Sequence, residues 1–334
     1  MADTVVNQIK HRRRLGQFAA TQGRQALPID LVGPLTKLAI RIQYTESNGA
    51  TAPAGVLFQQ NARFLQKVEI IIQGRDTVWS VTPAYYVARR QYEGRGVPCR
   101  GMETVIGAGA NAVTAVDLTI PLHFDLVRGR RRDDAALDLR GLTLAQIAIT
   151  FGSLTATDLW TTPGATVALS AVTCSLEGEY ILNTDPTQNQ YVARELIEIM
   201  TPIVSSSNNF AFDVDARTGI AIRTLPLFFI TANQGDDSLC PTAGGWIQLQ
   251  AGARQFVNTE TAFLKADSRD ELELPAAQEI AGLDFLDVLL MGQLATSIPT
   301  GKLDANLKAI LNVTMGAGPS QVICQRESTR PLKI

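Results

Sequence analysis

The chain has 334 residues, 46% of them apolar and 19% charged, with a mean hydropathy of +0.06, so it can bury a large core and is not a disordered polymer. Thirty cations against 32 acids leave a net charge of −2, which excludes a generally basic nucleic-acid binder and an acidic tail protein. So low a charge content implies a surface that is unusually neutral or covered in an assembly, and with only His11 and His123 present any site needing three histidines is excluded.

Residues 1–27 stand apart. Lys10, Arg12, Arg13, Arg14 and Arg24 are set against Asp3 alone, a local charge of +4 that leaves −6 for the remainder. Residues 1–26 read as a basic N-terminal arm. Its Lys10, Arg12, Arg13 and Arg14 could bind phosphate on nucleic acid or on lipid headgroups; a disordered solubilising tail is the plain alternative. The first 16 residues lack the apolar core of a signal peptide. No run reaches the roughly 18 apolar residues that span a bilayer. Even residues 283–294 are broken by Asp284, Asp287 and Gln293. The expectation is synthesis as a soluble protein in the cytoplasm.

From Leu27 the period is mostly two. Leu38, Ile40, Ile42 and Tyr44 share one face of a strand that ends in the loop Glu46-Ser47-Asn48-Gly49. Residues 68–72 are β-branched and lead through a turn to Thr77-Val78-Trp79. Residues 83–93 form the best helix candidate, with Thr82 as N-cap, Pro83 in the first turn and Gly94 as stop. Val116, Leu118, Ile120, Leu122 and Phe124 alternate again. Residues 145–151, 167–181, 196–200, 210–214, 220–230, 246–249, 307–315 and 322–324 read as further strands, and residues 276–294 are ambiguous between helix and strand. Many short strands with sparse helix indicate a sandwich or barrel rather than a βαβ fold.

A weak internal repeat pairs Ala145-Gln146-Ile147-Ala148-Ile149-Thr150-Phe151-Gly152 with Ala309-Ile310-Leu311-Asn312-Val313-Thr314-Met315-Gly316, an offset of 164 residues. Two such periods nearly fill the chain and predict two similar β domains in tandem. The seam falls in the polar stretch 182–189.

Motifs that could carry chemistry fail on context. Gly107-Ala108-Gly109-Ala110-Asn111-Ala112 fits GxGxxA, but a strand follows where a dinucleotide site needs a helix, so a flexible loop is expected. Asp213, Asp215 and Gly219 lack the closing Glu of a calcium loop. Asp133-Asp134 follow Arg128, Arg130, Arg131 and Arg132 and are expected to pair locally; Asp236-Asp237 are expected in a solvated turn. Asn312-Val313-Thr314 is a formal glycosylation sequon inside a strand. Cys99, Cys174, Cys240 and Cys324 show no CxxC spacing and are expected to be free, buried thiols. No metal ligands, cofactor site or catalytic set is expected.

Thr119-Ile120-Pro121-Leu122-His123-Phe124, the Arg-rich loop after it, Asp133-Asp134-Ala135-Ala136-Leu137-Asp138-Leu139 and the strand to Gly152 resemble a segment of double jelly-roll major capsid proteins. These belong to tailless icosahedral phages with an internal membrane (corticovirus-, tectivirus- and Finnlake-like). Leu27-Pro28-Ile29-Asp30 with the strand to Tyr44 is similar to their opening strand. The resemblance implies an all-β fold of two tandem eight-stranded jelly rolls with a few short helices, at residues 27–185 and 186–334. It implies a structural, non-enzymatic subunit whose homotrimer forms pseudo-hexagonal capsomers that tile a virion shell over a membrane. Expected partners are further copies, minor capsid and vertex proteins, and membrane lipid or genome through the arm, with no small-molecule substrate. Loops 94–114 and 231–245 would form towers or subunit contacts. A phage spike or carbohydrate-binding β-sandwich, or a β-rich enzyme, are the alternatives. Trp79, Trp160 and Trp246 are scattered, as an aromatic binding platform would not be.

Overall fold

The computed structural model describes residues 9–124, 136–155, 158–164, 166–182, 192–214, 219–240, 244–287, 298–303 and 305–331. The Arg-rich loop with Asp133-Asp134, most of the expected seam, Asp215, and residues 288–294 of the ambiguous stretch lie outside these. The chain divides into two compact units. Unit 1 comprises Met1–Val87, Pro98–Arg194 and Pro331–Ile334; unit 2 comprises Ala88–Val97 and Glu195–Arg330.

Unit 1 carries β1 (Ile9–Ala19), β2 (Gly23–Pro28), β3 (Pro34–Ser47), β4 (Ala54–Val56), β5 (Leu65–Ile72) and β6 (Asp76–Val81). Helix α1 (Pro83–Glu93) begins in it. Then come β7 (Val113–His123), β8 (Leu137–Asp138), β9 (Ala145–Phe151), β10 (Trp160–Thr162) and β11 (Ala168–Leu182). Eight of these strands make two antiparallel sheets, β1-β11-β3-β7 and β6-β5-β9-β2. Alternation sets the register. Leu38, Ile40, Ile42 and Tyr44 of β3 are buried, as are Val116, Leu118, Ile120 and Leu122 of β7. Ile40 lies opposite Ile120 and Ile42 opposite Leu118. Each such side chain contributes about 1.5–3 kcal/mol of burial, and a slip of one residue would turn the whole row to water. Aromatic rings complete this core: Trp79 meets Phe124 at 5.1 Å, and Phe64 meets Phe151 at 5.6 Å.

Unit 2 carries most of β12 (Val192–Ile203), then β13 (Ser207–Asp213), β14 (Ala221–Thr231), β15 (Gln234–Gly235), β16 (Trp246–Ala251) and β17 (Arg254–Glu260). Helix α2 (Thr261–Glu271) follows, with β18 (Leu283–Asp287), β19 (Ile298–Pro299), β20 (Leu307–Val313) and β21 (Ser320–Pro331). One sheet is β13-β20-β16-β17. In the other, β21 lies between β12 and β14, and β18 and β19 both pair with β14 as its broken neighbour. The core between them is largely aliphatic, including Leu227, Ile247, Leu249 and Leu311.

Set aside β4, β8, β10 and β15, count β18 and β19 as one strand, and each unit has eight strands in chain order. Both units then show the same two sheets, 1-8-3-6 and 2-7-4-5. This is the jelly-roll plan, twice. Each unit also places an eleven-residue helix directly after its fifth strand. The sequence repeat falls on the seventh strand of each, β9 and β20. Ala145, Ile147 and Ile149 are buried, and so are Ala309, Leu311 and Val313.

The structure departs from the sequence reading in two places and resolves a third that the sequence left open. The N-terminal segment is not a separate arm from Ile9 onward: β1 pairs with β11 over Ile9–Ala19 and β2 pairs with β9. Cations fall on both faces of β1, which hides its period, and its partner lies more than 150 residues away in sequence. Helix α2 is absent from the sequence reading, because Thr261–Glu271 carries no Pro or Gly boundary signal and Glu260 makes no side-chain cap. The ambiguous stretch contains a 3-10 turn at Ala276–Gln278 and the strand β18. Helix α1 runs over the residues the sequence marks for it, with Tyr85 and Tyr86 amides donating to the Thr82 carbonyl and the Gly94 amide to that of Arg90.

Candidate functional site

The four sequence-predicted contact residues lie on β1. Lys10, Arg12, Arg13 and Arg14 are exposed there. In register, Arg12 stands opposite Glu179 and Arg14 opposite Glu177 on β11. Arg12 Nε donates to Glu179 Oε2 at 3.0 Å, and Lys10 Nζ lies 3.7 Å from Glu179 Oε1. Arg13 pairs with Asp30 at 2.9 Å, and Arg14 bonds to Gln17. Burial raises the Glu179 carboxyl, but the Arg12 hydrogen bond and the charges of Lys10, Arg12 and Lys37 hold it below the usual carboxylate range. The cations therefore sit on a rigid ladder, partly neutralised by Glu179 and Asp30. The sequence could not signal either acid, because both are brought in by sheet pairing.

The remaining sequence candidates resolve into structural roles. The GxGxxA segment is a turn before β7: Asn48 Nδ2 donates to the carbonyls of Gly107 and Gly109 at 2.6 and 2.9 Å, and the Asn111 amide donates to Gly49. Strand follows, so no helix N-terminus faces a pyrophosphate. Asp236 accepts from the amide and hydroxyl of Ser238. Burial raises that carboxyl, yet its hydrogen bonds from Ser238 and Thr231 bring it below the ordinary range. Asp237 is not merely a solvated turn residue: it takes Lys265 Nζ at 2.5 Å and the Gly282 amide at 2.9 Å. All four cysteines are free and buried. Burial pushes the Cys240 thiol up to about 11 and those of Cys174 and Cys324 up to about 12. Such thiols stay protonated and unreactive at neutral pH.

Unit 2 holds two polar clusters that sequence patterning does not reveal. In the first, Arg89 on α1 pairs with Glu93 at 2.7 Å and with Glu327 on β21, and also donates to Thr224 Oγ1 at 3.2 Å. Arg223 on β14 reaches the other Glu327 oxygen at 2.7 Å. These groups are almost fully buried. In the second, Lys265 on α2 is shared between Asp237 and Asp284, the latter at 3.7 Å. Beside it lies a cavity of about 280 Å³ lined by Tyr92, Lys265, Arg269 and Glu279 among others. Arg269 pairs with Glu279 at 3.2 Å. Two ion pairs line this cavity, Lys265 with Asp237 and Arg269 with Glu279. Among the described residues no group of three or more His, Cys, Asp or Glu side chains is placed to hold a metal ion.

No protein-family model and no curated protein matches the chain by sequence. Solved structures do match by shape. The major capsid protein (MCP) of Sulfolobus Turreted Icosahedral Virus superposes with a TM-score of 0.72 at 15% identity, covering 97% of each chain. The major capsid protein P2 of bacteriophage PM2 gives 0.63 at 11%, covering 97% of this chain and 98% of that one. The PBCV-1 virus capsid chain gives 0.66 at 12%, covering 98% and 95%. The fold of this chain is the double jelly roll of viral major capsid proteins.

Proposed function

We propose that the chain is a structural major capsid protein of a virion, made in the host cytoplasm. Three copies form a trimer of six jelly rolls, a pseudo-hexagonal capsomer, and capsomers tile an icosahedral shell over an internal membrane. The observation that carries this reading is the double jelly roll itself, shared with viral capsid proteins from end to end of both chains. The physical logic is symmetry: a threefold ring of a chain with two like-folded units offers six similar flanks, which suit hexagonal packing. A chain with only 19% charged residues suits a surface largely covered by neighbours. The function asks for no catalytic group; its partners are further copies and the minor and vertex proteins of the shell.

Mass in solution tests the reading. Light scattering on purified protein should return the trimer, about 108 kDa from a 36.1 kDa chain, or larger arrays. A 36.1 kDa monomer at micromolar concentration contradicts it.

Within the same reading, Lys10, Arg12, Arg13 and Arg14 contact membrane lipid or genome. Four cations support only modest, salt-sensitive attraction. Because β1 is part of a sheet, substitution is the right test rather than deletion. Changing all four to Gln should abolish co-flotation with anionic vesicles or retention of DNA at low salt. Unchanged binding of both overturns that role.

A further inference from the structure

We propose that unit 2 closes a covalent bond on itself, an isopeptide between Lys265 Nζ on α2 and the side-chain carbon of Asp237 in the turn after β15, with Asp284 on β18 relaying the proton. The proposal goes beyond the assembly reading and stands independently of it.

Three elements of unit 2 bring these groups together. Lys265 is the fifth residue of α2, Asp237 lies two residues past β15, and Asp284 is the second residue of β18. Lys265 Nζ lies 2.5 Å from Asp237 Oδ1. Adding one C–O bond puts Nζ at most about 3.7 Å from the Asp237 carbon, near the separation of a pair poised to react. The Gly282 amide donates to the same Oδ1 at 2.9 Å and fixes the carboxylate. Asp284 is 2% exposed; its Oδ1 has no hydrogen-bond partner and lies 3.7 Å from Lys265 Nζ. The lysines of the pairs Lys10–Glu179 and Lys67–Glu69 are half in solvent. Lys265 is 21% exposed instead, on a cavity whose wall includes Leu274, Ile280 and Leu283.

Burial lowers the Lys265 ammonium, but the Asp237 hydrogen bond and the charges of Asp284, Asp237 and Glu279 hold it above its ordinary range. It therefore needs a base beside it before it can attack. Asp284 supplies one: burial lifts its carboxyl to about 7, so both of its forms are populated near neutral pH. As carboxylate it takes one proton from Nζ. The freed amine pair attacks the Asp237 carbon, and the charge that gathers on Oδ1 meets the Gly282 amide. Asp284 returns its proton to Oδ2. With a second proton from Nζ that oxygen leaves as water, and the third hydrogen stays on the amide nitrogen. No oxidant or co-reactant is consumed. Asp237 is half exposed, which gives the water a way out. The bond replaces a partly buried ion pair by a neutral amide and so removes a desolvation cost. The fixed geometry supplies the high effective concentration that drives condensation.

The test is the intact mass of the purified full chain after incubation at neutral pH. Wild type should weigh one water less than its sequence, and digestion should yield a branched peptide joining the Asp237 and Lys265 segments. Lys265→Arg keeps the charge pair and should stay at full sequence mass. Asp284→Ala, checked for folding by far-UV circular dichroism, should form the bond at least about 100-fold more slowly. Wild type at full sequence mass overturns the bond. Loss of water in Lys265→Arg also overturns it, since the loss then lies elsewhere, as in a backbone succinimide at Asp237-Ser238. A folded Asp284→Ala that reacts at the wild-type rate overturns the relay.

Discussion

In unit 1 the core is filled with rings, Trp79 against Phe124 and Phe64 against Phe151. In unit 2 the core is largely aliphatic, Glu327 is locked between two buried arginines on β14 and α1, and the matching helix lies open at Phe263. The strand plan is the same. What holds it in common is the inward row of alternating apolar side chains; the residues over the outer faces are free to differ. That freedom lets one topology serve as two non-identical building blocks of a single chain.

The largest effects should come from the row the units share. Ile149→Asp and Val313→Asp bury a charge at the same place on the seventh strand of each unit, and each should cost more than about 5 kcal/mol and unfold its own unit. Calorimetry that shows an unaltered transition for either variant breaks the equivalence.

Next comes a feature of unit 2 alone. Glu327→Gln leaves Arg89 and Arg223 buried without their shared carboxylate, an expected loss of about 3–5 kcal/mol confined to unit 2. A melting temperature unchanged from wild type removes this cluster from the account of unit 2.

Asp284 sharpens the contrast through pH. Burial lifts its carboxyl to about 7, against an ordinary 3.8, although Lys265 lies beside it. The folded unit therefore holds this proton more tightly than the unfolded chain. The resulting stabilisation is complete at acid pH and is lost as pH rises from about 4 to about 7. Asp284→Asn should flatten that decline and stabilise unit 2 at pH 8 by roughly 2–4 kcal/mol. An identical pH profile for the two proteins contradicts the assignment.

The smallest effect belongs to the edge of unit 1. In the Arg12–Glu179 pair Arg12 is mostly exposed and Glu179 largely buried, and Lys10 also faces the carboxylate, so Arg12→Gln should cost about 1 kcal/mol or less at neutral pH. The difference should vanish as pH falls below the Glu179 range. A loss of several kcal/mol in denaturant titration would show that β1 depends on this pair far more than its exposure implies.

Much of the fold was legible where one period ruled. β3, β7 and β9 alternate cleanly, α1 is bounded by Thr82, Pro83 and Gly94, and the repeat at β9 and β20 exposed the tandem plan. What escaped notice depends on partners distant in sequence. β1 reads as a charged tail until Glu179 and Asp30 are placed beside it. Nothing local in the sequence marks Arg89, Arg223 and Glu327 as charges that a helix and two strands will bury together. Helix α2 lacks the boundary residues that mark α1.

The most direct test of the central claim is an image. Negatively stained particles of the purified protein, averaged without imposed symmetry, should show a ring of six lobes alternating slightly in shape, two from each of three chains. Averages with two lobes, or a ring whose lobe count is not six, would contradict the account.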